Sequence, residues 1–376
     1  MRILALVTDA FGGRGGIAKF NRDLITAICN HQSCRELVVI PRFVSDPYGQ
    51  IPPNLTYVTK GLHSKLRYIG IALKLVLVRP GFDIIICGHI NLLPLAFLLK
   101  VISGTSILLC IHGIDAWHPT KNRLVKRLLK KIDAFVSVSR LTKKRFLRWS
   151  EINEIEGFIL PNAVDISKFK PGPKPTDLLN SYGLRGKTVL MTLARLSADE
   201  HYKGVDEILE LLPSILKKRP DLMYLVAGDG TDRRRLMRKA SNLGLENRVV
   251  FPGFIVEKEK VAHYRLADAF VMPGRGEGFG IVLLEAMACG IPVVASKIDG
   301  SREAVLDGEI GILVNPDRPE EIEEGIIQAI KRQRGIIPDR LDYFSYTNFE
   351  KRCHCIINRI MAPKKYNPPV KNLMFF

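Results

Sequence analysis

No two of the seven cysteines (Cys29, Cys34, Cys87, Cys110, Cys289, Cys353, Cys355) stand at CxxC spacing, and no His/Cys cluster has zinc spacing. A disulfide framework and a structural metal are therefore not expected, and the pattern suits a reducing cytoplasm. No apolar run is long and unbroken enough to span a membrane. The most apolar window, Leu92 to Ile111, is interrupted by Pro94, Lys100 and Gly104, and predicts a helix followed by a strand. The opening MRILALVTDAF is too short in apolar residues for an export signal and predicts a first β-strand. Internal repeats and low-complexity tracts are lacking.

What is there is length and positive charge. The chain has 376 residues and a net charge of +18, long enough for two α/β domains. Residues 1–170 hold 25 Lys/Arg against 11 Asp/Glu, so +14 of that excess lies in the first half. An anionic partner is implied: a nucleic acid, a membrane surface or a phosphorylated acceptor.

Apolar, β-rich runs alternate with helical stretches: RILALV, ELVVI, FDIIIC, SILLCI and AFVSVS, then KTVLMTLA, LMYLVAG, RVVFPG, AFVMP and IPVVAS. Such alternation means βαβ units and parallel sheets. The proline-rich LPNAVDISKFKPGPKPTDLL divides the two series. The expected domains are 1–170 and 171–345, both Rossmann-like, with a helix at 346–362 and an irregular tail at 363–376. Ligands of doubly wound domains bind beyond the carboxyl ends of the strands, here in a facing cleft.

The stretch PGRGEGFGIVLLEAMACGIPVVAS carries Glu285 in the middle of an apolar helix, with Glu277 and three glycines in the turn before it. A carboxylate so placed needs a partner, either a ligand or a buried cation on a neighbouring helix. The helix start offers backbone N–H groups to an anion or a sugar hydroxyl, and Glu285 suits a vicinal diol such as a ribose. Arg195 follows a strand and Lys203 precedes a helix, so both can converge on a diphosphate. GDGT, with Gly228 and Asp229, follows the next strand and can be read as a tight turn alone. No D-x-D occurs to hold a divalent ion on a diphosphate.

Taken together, Gly15-Gly16, His112-Gly113, VSVS, PNAVD, Arg195 with Lys203-Gly204, GDGT, FPGF, EGFGIVLLEAMACGIPVVAS and GILVNP resemble the retaining glycosyltransferases of family 4, over about residues 1 to 360. The resemblance implies the GT-B fold, with the last helix returning to the N-terminal domain. It implies that Glu285 binds the nucleotide ribose, that Glu277 and the amides of Gly278, Phe279 and Gly280 hold the donor sugar beside Ile281, and that Arg195 and Lys203 stabilise the leaving diphosphate. It places His112 near the donor sugar, the base by Phe254 and Ile255, and Gly15, Gly16 and Gly228 among the donor-binding residues. Catalysis would fall to His112, Arg195, Lys203 and Glu277, without a metal or other cofactor. Two departures stand out: Gly274 where the family commonly has Ser, and Ala163 where PNGVD is usual, which implies negative φ.

The expected activity is hexosyl transfer from a nucleotide diphosphate sugar, UDP-glucose first and GDP-mannose as the alternative, to a glycan or lipid-linked acceptor in cell-surface polysaccharide synthesis. Two basic amphipathic stretches, KLRYIGIALKLVLVR and KNRLVKRLLKK, suit peripheral contact with anionic membrane on the inner face of the cytoplasmic membrane. An NAD(P)-dependent oxidoreductase is the competing reading, from Gly13-x-Gly15-x-x-Ala18. It lacks the acid that NAD requires at the end of the second strand, where Pro41 and Arg42 stand. A nucleic-acid partner is not expected, since no binding motif accompanies the charge.

Overall fold

The computed structural model describes residues 1–152 and 157–362; the expected tail at 363–376 lies outside the described residues. Contacts divide the chain into two units, one of Met1–Asn162 with the chain from Tyr346, the other of Ala163–Ser345.

The first unit is a parallel sheet of β1 (Arg2–Val7), β2 (Glu36–Pro41), β3 (Leu55–Tyr57), β4 (Ile84–Cys87), β5 (Ser106–Ile111), β6 (Ala134–Ser137) and β7 (Gly157–Ile159), in the order β3-β2-β1-β4-β5-β6-β7. Its helices are α1 (Gly15–Cys29), α2 (Lys65–Val78), α3 (Leu93–Ser103), α4 (Ile114–Trp117), α5 (Arg123–Leu129) and α6 (Arg140–Ser150). The central strands are continuous apolar runs because helices cover both faces: Ile3 to Val7 and Ile107 to Ile111 are all buried. Helix starts are capped locally, by the Ser64 hydroxyl on the Arg67 N–H and by Asn122 on Leu124 and Val125. The Leu92–Ile111 window resolves as predicted into α3, a left-handed Gly104 and β5.

The second unit has β8 (Thr188–Leu193), β9 (Leu222–Ala227), β10 (Val249–Gly253), β11 (Ala269–Met272), β12 (Val293–Ser296) and β13 (Ile312–Val314), in the order β10-β9-β8-β11-β12-β13, again parallel. Around it lie α7 (Thr176–Ser181), α8 (Val205–Lys218), α9 (Arg233–Asn242), α10 (Lys260–Leu266), α11 (Ile281–Ala288), α12 (Ser301–Ala304) and α13 (Pro319–Lys331). In this sheet the strand order reverses between β8 and β11, so the loops after those two strands part to opposite faces and leave a crevice for a ligand.

The boundary differs from the expected residue 170. Ala163 and Val164 are buried, the Val164 N–H donates to Phe344 O, and Phe169 packs edge-on against Tyr264, so from Ala163 onward this proline-rich segment belongs to the second unit. Composition marks the segment as irregular, but its two apolar anchors decide its side. Ala163 lies outside the left-handed region, as its side chain requires.

The last helix, α14 (Tyr346–Met361), packs on α1 in the first unit. Asn30 Nδ2 donates to Glu350 at 2.6 Å, His354 Nε2 to Ala27 O at 2.7 Å, and Phe349 meets Phe20 edge-on. No helix among the described residues is long and apolar enough to cross a membrane. Phe349 is fully buried, so Phe349→Ala is expected to destabilise the first unit by about 3–5 kcal/mol, seen as a lower urea midpoint at unchanged slope.

Candidate functional site

The residues singled out in the second unit gather where the loops leave β8, β9, β10, β11 and β12. After β8 the chain makes a turn of 3₁₀ helix, Ala198–Lys203, and enters α8 through Gly204. A Cβ on Gly204 would stand 2.7 Å from Pro273 O, so only glycine lets this loop lie against the one that follows β11. The Arg275 N–H then donates to Tyr202 O at 2.8 Å. The same contact accounts for Gly274: a side chain there would begin 2.7 Å from Tyr202 O, leaving no room for serine.

This packing brings Lys203 to Glu277, with Nζ 2.7 Å from Oε2. Burial works against the ammonium, but the charge and hydrogen bond of Glu277 outweigh it and hold Lys203 above the ordinary lysine range. The contribution of the pair is thus complete at neutral pH and is lost only as pH rises beyond the unfolded lysine value. Glu277 opens a turn in which Gly278 precedes a buried Phe279, edge-on to Phe344, and a left-handed Gly280 that caps α11. Ile281 begins the helix, so free N–H groups of its first turn lie beside Glu277.

Glu285 is 1% exposed. It does not stand bare: Tyr264 donates its hydroxyl to Oε2 at 2.7 Å, and Lys260 Nζ lies 3.3 Å from Oε1 and 3.4 Å from Oε2. The protein therefore supplies the buried cation on a neighbouring helix, α10. Burial and the charge of Glu285 raise Tyr264 well above the phenol range. Burial alone would lower Lys260, but Glu285 and Glu257 raise it. Tyr264 thus stays a donor and Lys260 a cation.

Other candidates are placed differently. Arg195 follows β8, is exposed, and has its guanidinium ion-paired with Glu200. A Cβ on Gly228 would lie 1.8 Å from Ala194 O, and Asp229 folds back on the Gly230 N–H, as in a tight turn. Beside that turn is a concavity of about 460 Å³ lined by Asp229, Gly230, Thr231, Arg233 and Arg234. After β10, Phe254 is half exposed while Ile255 is buried.

In the first unit, Gly15 and Gly16 open α1, with Gly15 left-handed and nothing near its Cβ position. His112 follows β5, its Nε2 3.0 Å from Gly88 O. A carbonyl only accepts, so Nε2 carries a proton, and Nδ1 is buried with no hydrogen-bond partner among the described residues.

Lys260, Tyr264 and Asp299 were not legible as site residues. Asp299 follows β12, is 2% exposed, and accepts the Glu277 N–H at 3.0 Å. Its signal in the sequence is faint: one acid in a turn after a strand. Among the described residues no group of three or more His, Cys, Asp or Glu side chains is placed to hold a metal ion.

Residues 14–168 match Glycosyltransferase Family 4, and residues 182–347 match Glycosyl transferases group 1. The chain is similar to the GDP-mannose-dependent alpha-(1-6)-phosphatidylinositol monomannoside mannosyltransferase of Mycolicibacterium smegmatis, 37% identical over 216 residues, covering 54% of this chain and 55% of that protein. It is also similar to the phosphatidyl-myo-inositol mannosyltransferase of Mycobacterium tuberculosis, 35% identical over 214 residues, covering 55% of this chain and 53% of that protein. The chain thus spans about half the length of these curated relatives. Among solved structures, Anabaena Alr3699/HepE in complex with UDP and glucose superposes with a TM-score of 0.75 at 21% identity, over 96% of this chain and 100% of that one. The lipopolysaccharide outer core galactosyltransferase WaaB superposes at 0.72 and 22%, over 96% and 99%. These likenesses establish the GT-B fold.

Because Glu285 balances Lys260 and Tyr264, Glu285→Ala is expected to cost about 3–5 kcal/mol of stability, whereas Glu285→Gln, which keeps an acceptor for Tyr264, costs less. Chemical denaturation of both variants checks this; equal stabilities would remove the pairing role.

Proposed function

The chain belongs to the GT-B glycosyltransferases that join a family 4 domain to a group 1 domain, and from that premise we propose that it transfers a hexosyl residue from a nucleoside diphosphate sugar to a lipid-linked acceptor. The observation that carries this reading is the Lys203–Glu277 pair beside the start of α11. It sets a cation for a leaving diphosphate next to a carboxylate and amides for sugar hydroxyls.

In the proposed reaction the anomeric C–O bond to the diphosphate breaks while the acceptor oxygen bonds the same carbon on the same face. The acceptor proton passes to the departing phosphate. Lys203, and Arg195 once released from Glu200, stabilise that phosphate without a divalent ion. Glu285 has four lone-pair directions, and its long contacts to Lys260 leave acceptor capacity for a ribose diol.

For the donor, GDP-mannose replaces the first expectation of UDP-glucose. The relatives at 35 and 37% identity are named as mannosyltransferases, one of them GDP-mannose-dependent. The structure solved with UDP and glucose shares only 21% identity and supports the fold alone. An inositol phospholipid, as in the names of those relatives, is the proposed acceptor class. Radiolabel transfer from GDP-mannose to phosphatidylinositol is expected to exceed transfer from UDP-glucose by about tenfold or more, a difference of roughly 1.4 kcal/mol. EDTA is expected to leave the rate unchanged, and Lys203→Ala to lower it by about 10²–10³. A better rate with UDP-glucose, or loss of activity on chelation, would overturn the respective assignment.

The first unit is proposed to meet the acceptor at an anionic membrane on the inner face of the cytoplasmic membrane. The α2 helix exposes Leu66 (83%), Leu77 (64%) and Val78 (66%) beside Lys65, Arg67 and Lys74, and the adjacent α3 exposes Val101. The α5 stretch contributes less than its sequence suggests, since Lys126 and Lys130 both pair with Glu151. Each basic residue near such a surface contributes about 1 kcal/mol. Co-sedimentation with vesicles containing anionic lipid is expected to fall sharply for Lys65, Arg67 and Lys74 changed to Gln together, and for Leu66→Gln with Leu77→Gln. Equal recovery on neutral vesicles would sink the membrane role.

A further inference from the structure

Glu277 is held by more than Lys203. Asp299, in the turn between β12 and α12, accepts the Glu277 N–H on Oδ2 at 3.0 Å, and Gly300 donates its N–H to Glu277 O at 2.7 Å. The peptide groups on both sides of Glu277 are therefore gripped by one short turn. The other oxygen of Asp299, Oδ1, accepts the Ser301 N–H at 3.0 Å and the Ser301 hydroxyl at 2.5 Å. Three donors thus converge on one buried carboxylate, and among the described residues no cation pairs with it. Lys297 and Arg302, on its own segment, are taken by Glu321 and Asp307. An amide in place of the carboxylate would offer one accepting oxygen and turn an NH₂ group toward the remaining donors.

We propose that Asp299 is the positioning residue of the donor-sugar loop: its ionised carboxylate fixes the Glu277 backbone, so the loop is fully set only while Asp299 is deprotonated. This rests on the reading of Glu277 as the donor-sugar carboxylate. Burial pushes the Asp299 carboxyl up to about 7; the bonds from Ser301 and from the Glu277 N–H oppose that rise, and the Glu277 charge adds to it. Facing Asp299 are the Glu277 carboxylate from the donor loop and, behind it, Lys203 and Tyr202 from the turn before α8. A proton on Oδ1 takes a lone pair that now accepts from Ser301, and a proton on Oδ2 leaves the Glu277 N–H a neutral, weaker acceptor in place of an ionised one.

The two consequences run in opposite directions. Folding holds a proton that the unfolded chain releases near 4, so the stability due to Asp299 falls as pH rises from about 4 to about 7. Over the upper part of that window the donor loop becomes better ordered.

Hydrogen–deuterium exchange of the unliganded protein reads the loop without any donor. At pH 8 the Glu277 amide is expected to exchange about tenfold faster in Asp299→Asn than in wild type, the scale of one lost charge-assisted hydrogen bond. In wild type its protection factor, corrected for intrinsic exchange, is expected to rise between pH 6 and 8, and in Asp299→Asn to stay flat. Ser301→Ala removes one donor to the ionised form and is expected to move the midpoint upward by about one pH unit. It carries the test if Asp299→Asn does not fold. A flat wild-type profile, equal protection in Asp299→Asn, or an unmoved midpoint in Ser301→Ala would overturn the proposal. With GDP-mannose as donor, kcat of Asp299→Asn is expected to fall about tenfold, one lost bond, with little change in KM. If exchange responds as expected and kcat does not, Asp299 still positions the loop and the donor-sugar reading of Glu277 is what fails.

Discussion

The ion pair between Lys203 and Glu277 is the contact on which the site in the second unit turns. It exists because two loops that follow different strands are packed closely enough for one side chain to reach the other. Gly204, Gly274 and Gly276 each face backbone or ring atoms at distances that no Cβ tolerates. Sequence offers these glycines as turn formers; the structure uses them as clearance. Once the loops are in register, an ammonium and a carboxylate at 2.7 Å are both held and both remain at the rim of the helix that begins at Ile281.

Glu285 presents the opposite economy. A carboxylate at 1% exposure would be untenable alone, and the neighbouring helix answers it with one phenol and one lysine. The phenol bond is short and the lysine contacts are long, so the carboxylate is neutralised without being saturated. A group arranged in this way can serve the fold and still accept from a ligand, and the two roles need not be separated.

Most of the scaffold was legible. All ten apolar runs form strands, because in a parallel sheet covered by helices on both faces burial is nearly complete and the run of apolar residues is long. The three strands that escaped notice, Leu55–Tyr57, Gly157–Ile159 and Ile312–Val314, are edge strands of three residues each, too short to carry a pattern. The helix and glycine turn around Glu277 and Glu285 were equally plain, since a lone acid inside an apolar helix is an anomaly at the level of sequence. Arg195 shows the limit: its position after β8 was read correctly, but its side chain lies on Glu200, five residues away, a choice made by loop conformation.

What the sequence determined by itself was the alternation of strands and helices, the two-domain division and the two carboxylates that demand partners, because periodicity and local charge are one-dimensional properties. It could not say which partners answer them. Tyr264 and Lys260 reach Glu285 from another helix, and Asp299 reaches the Glu277 backbone from beyond the next strand. Nothing in the spacing of these residues marks them. Only the parallel sheet, by delivering the end of every strand to the same edge, brings residues distant in the chain within hydrogen-bond range.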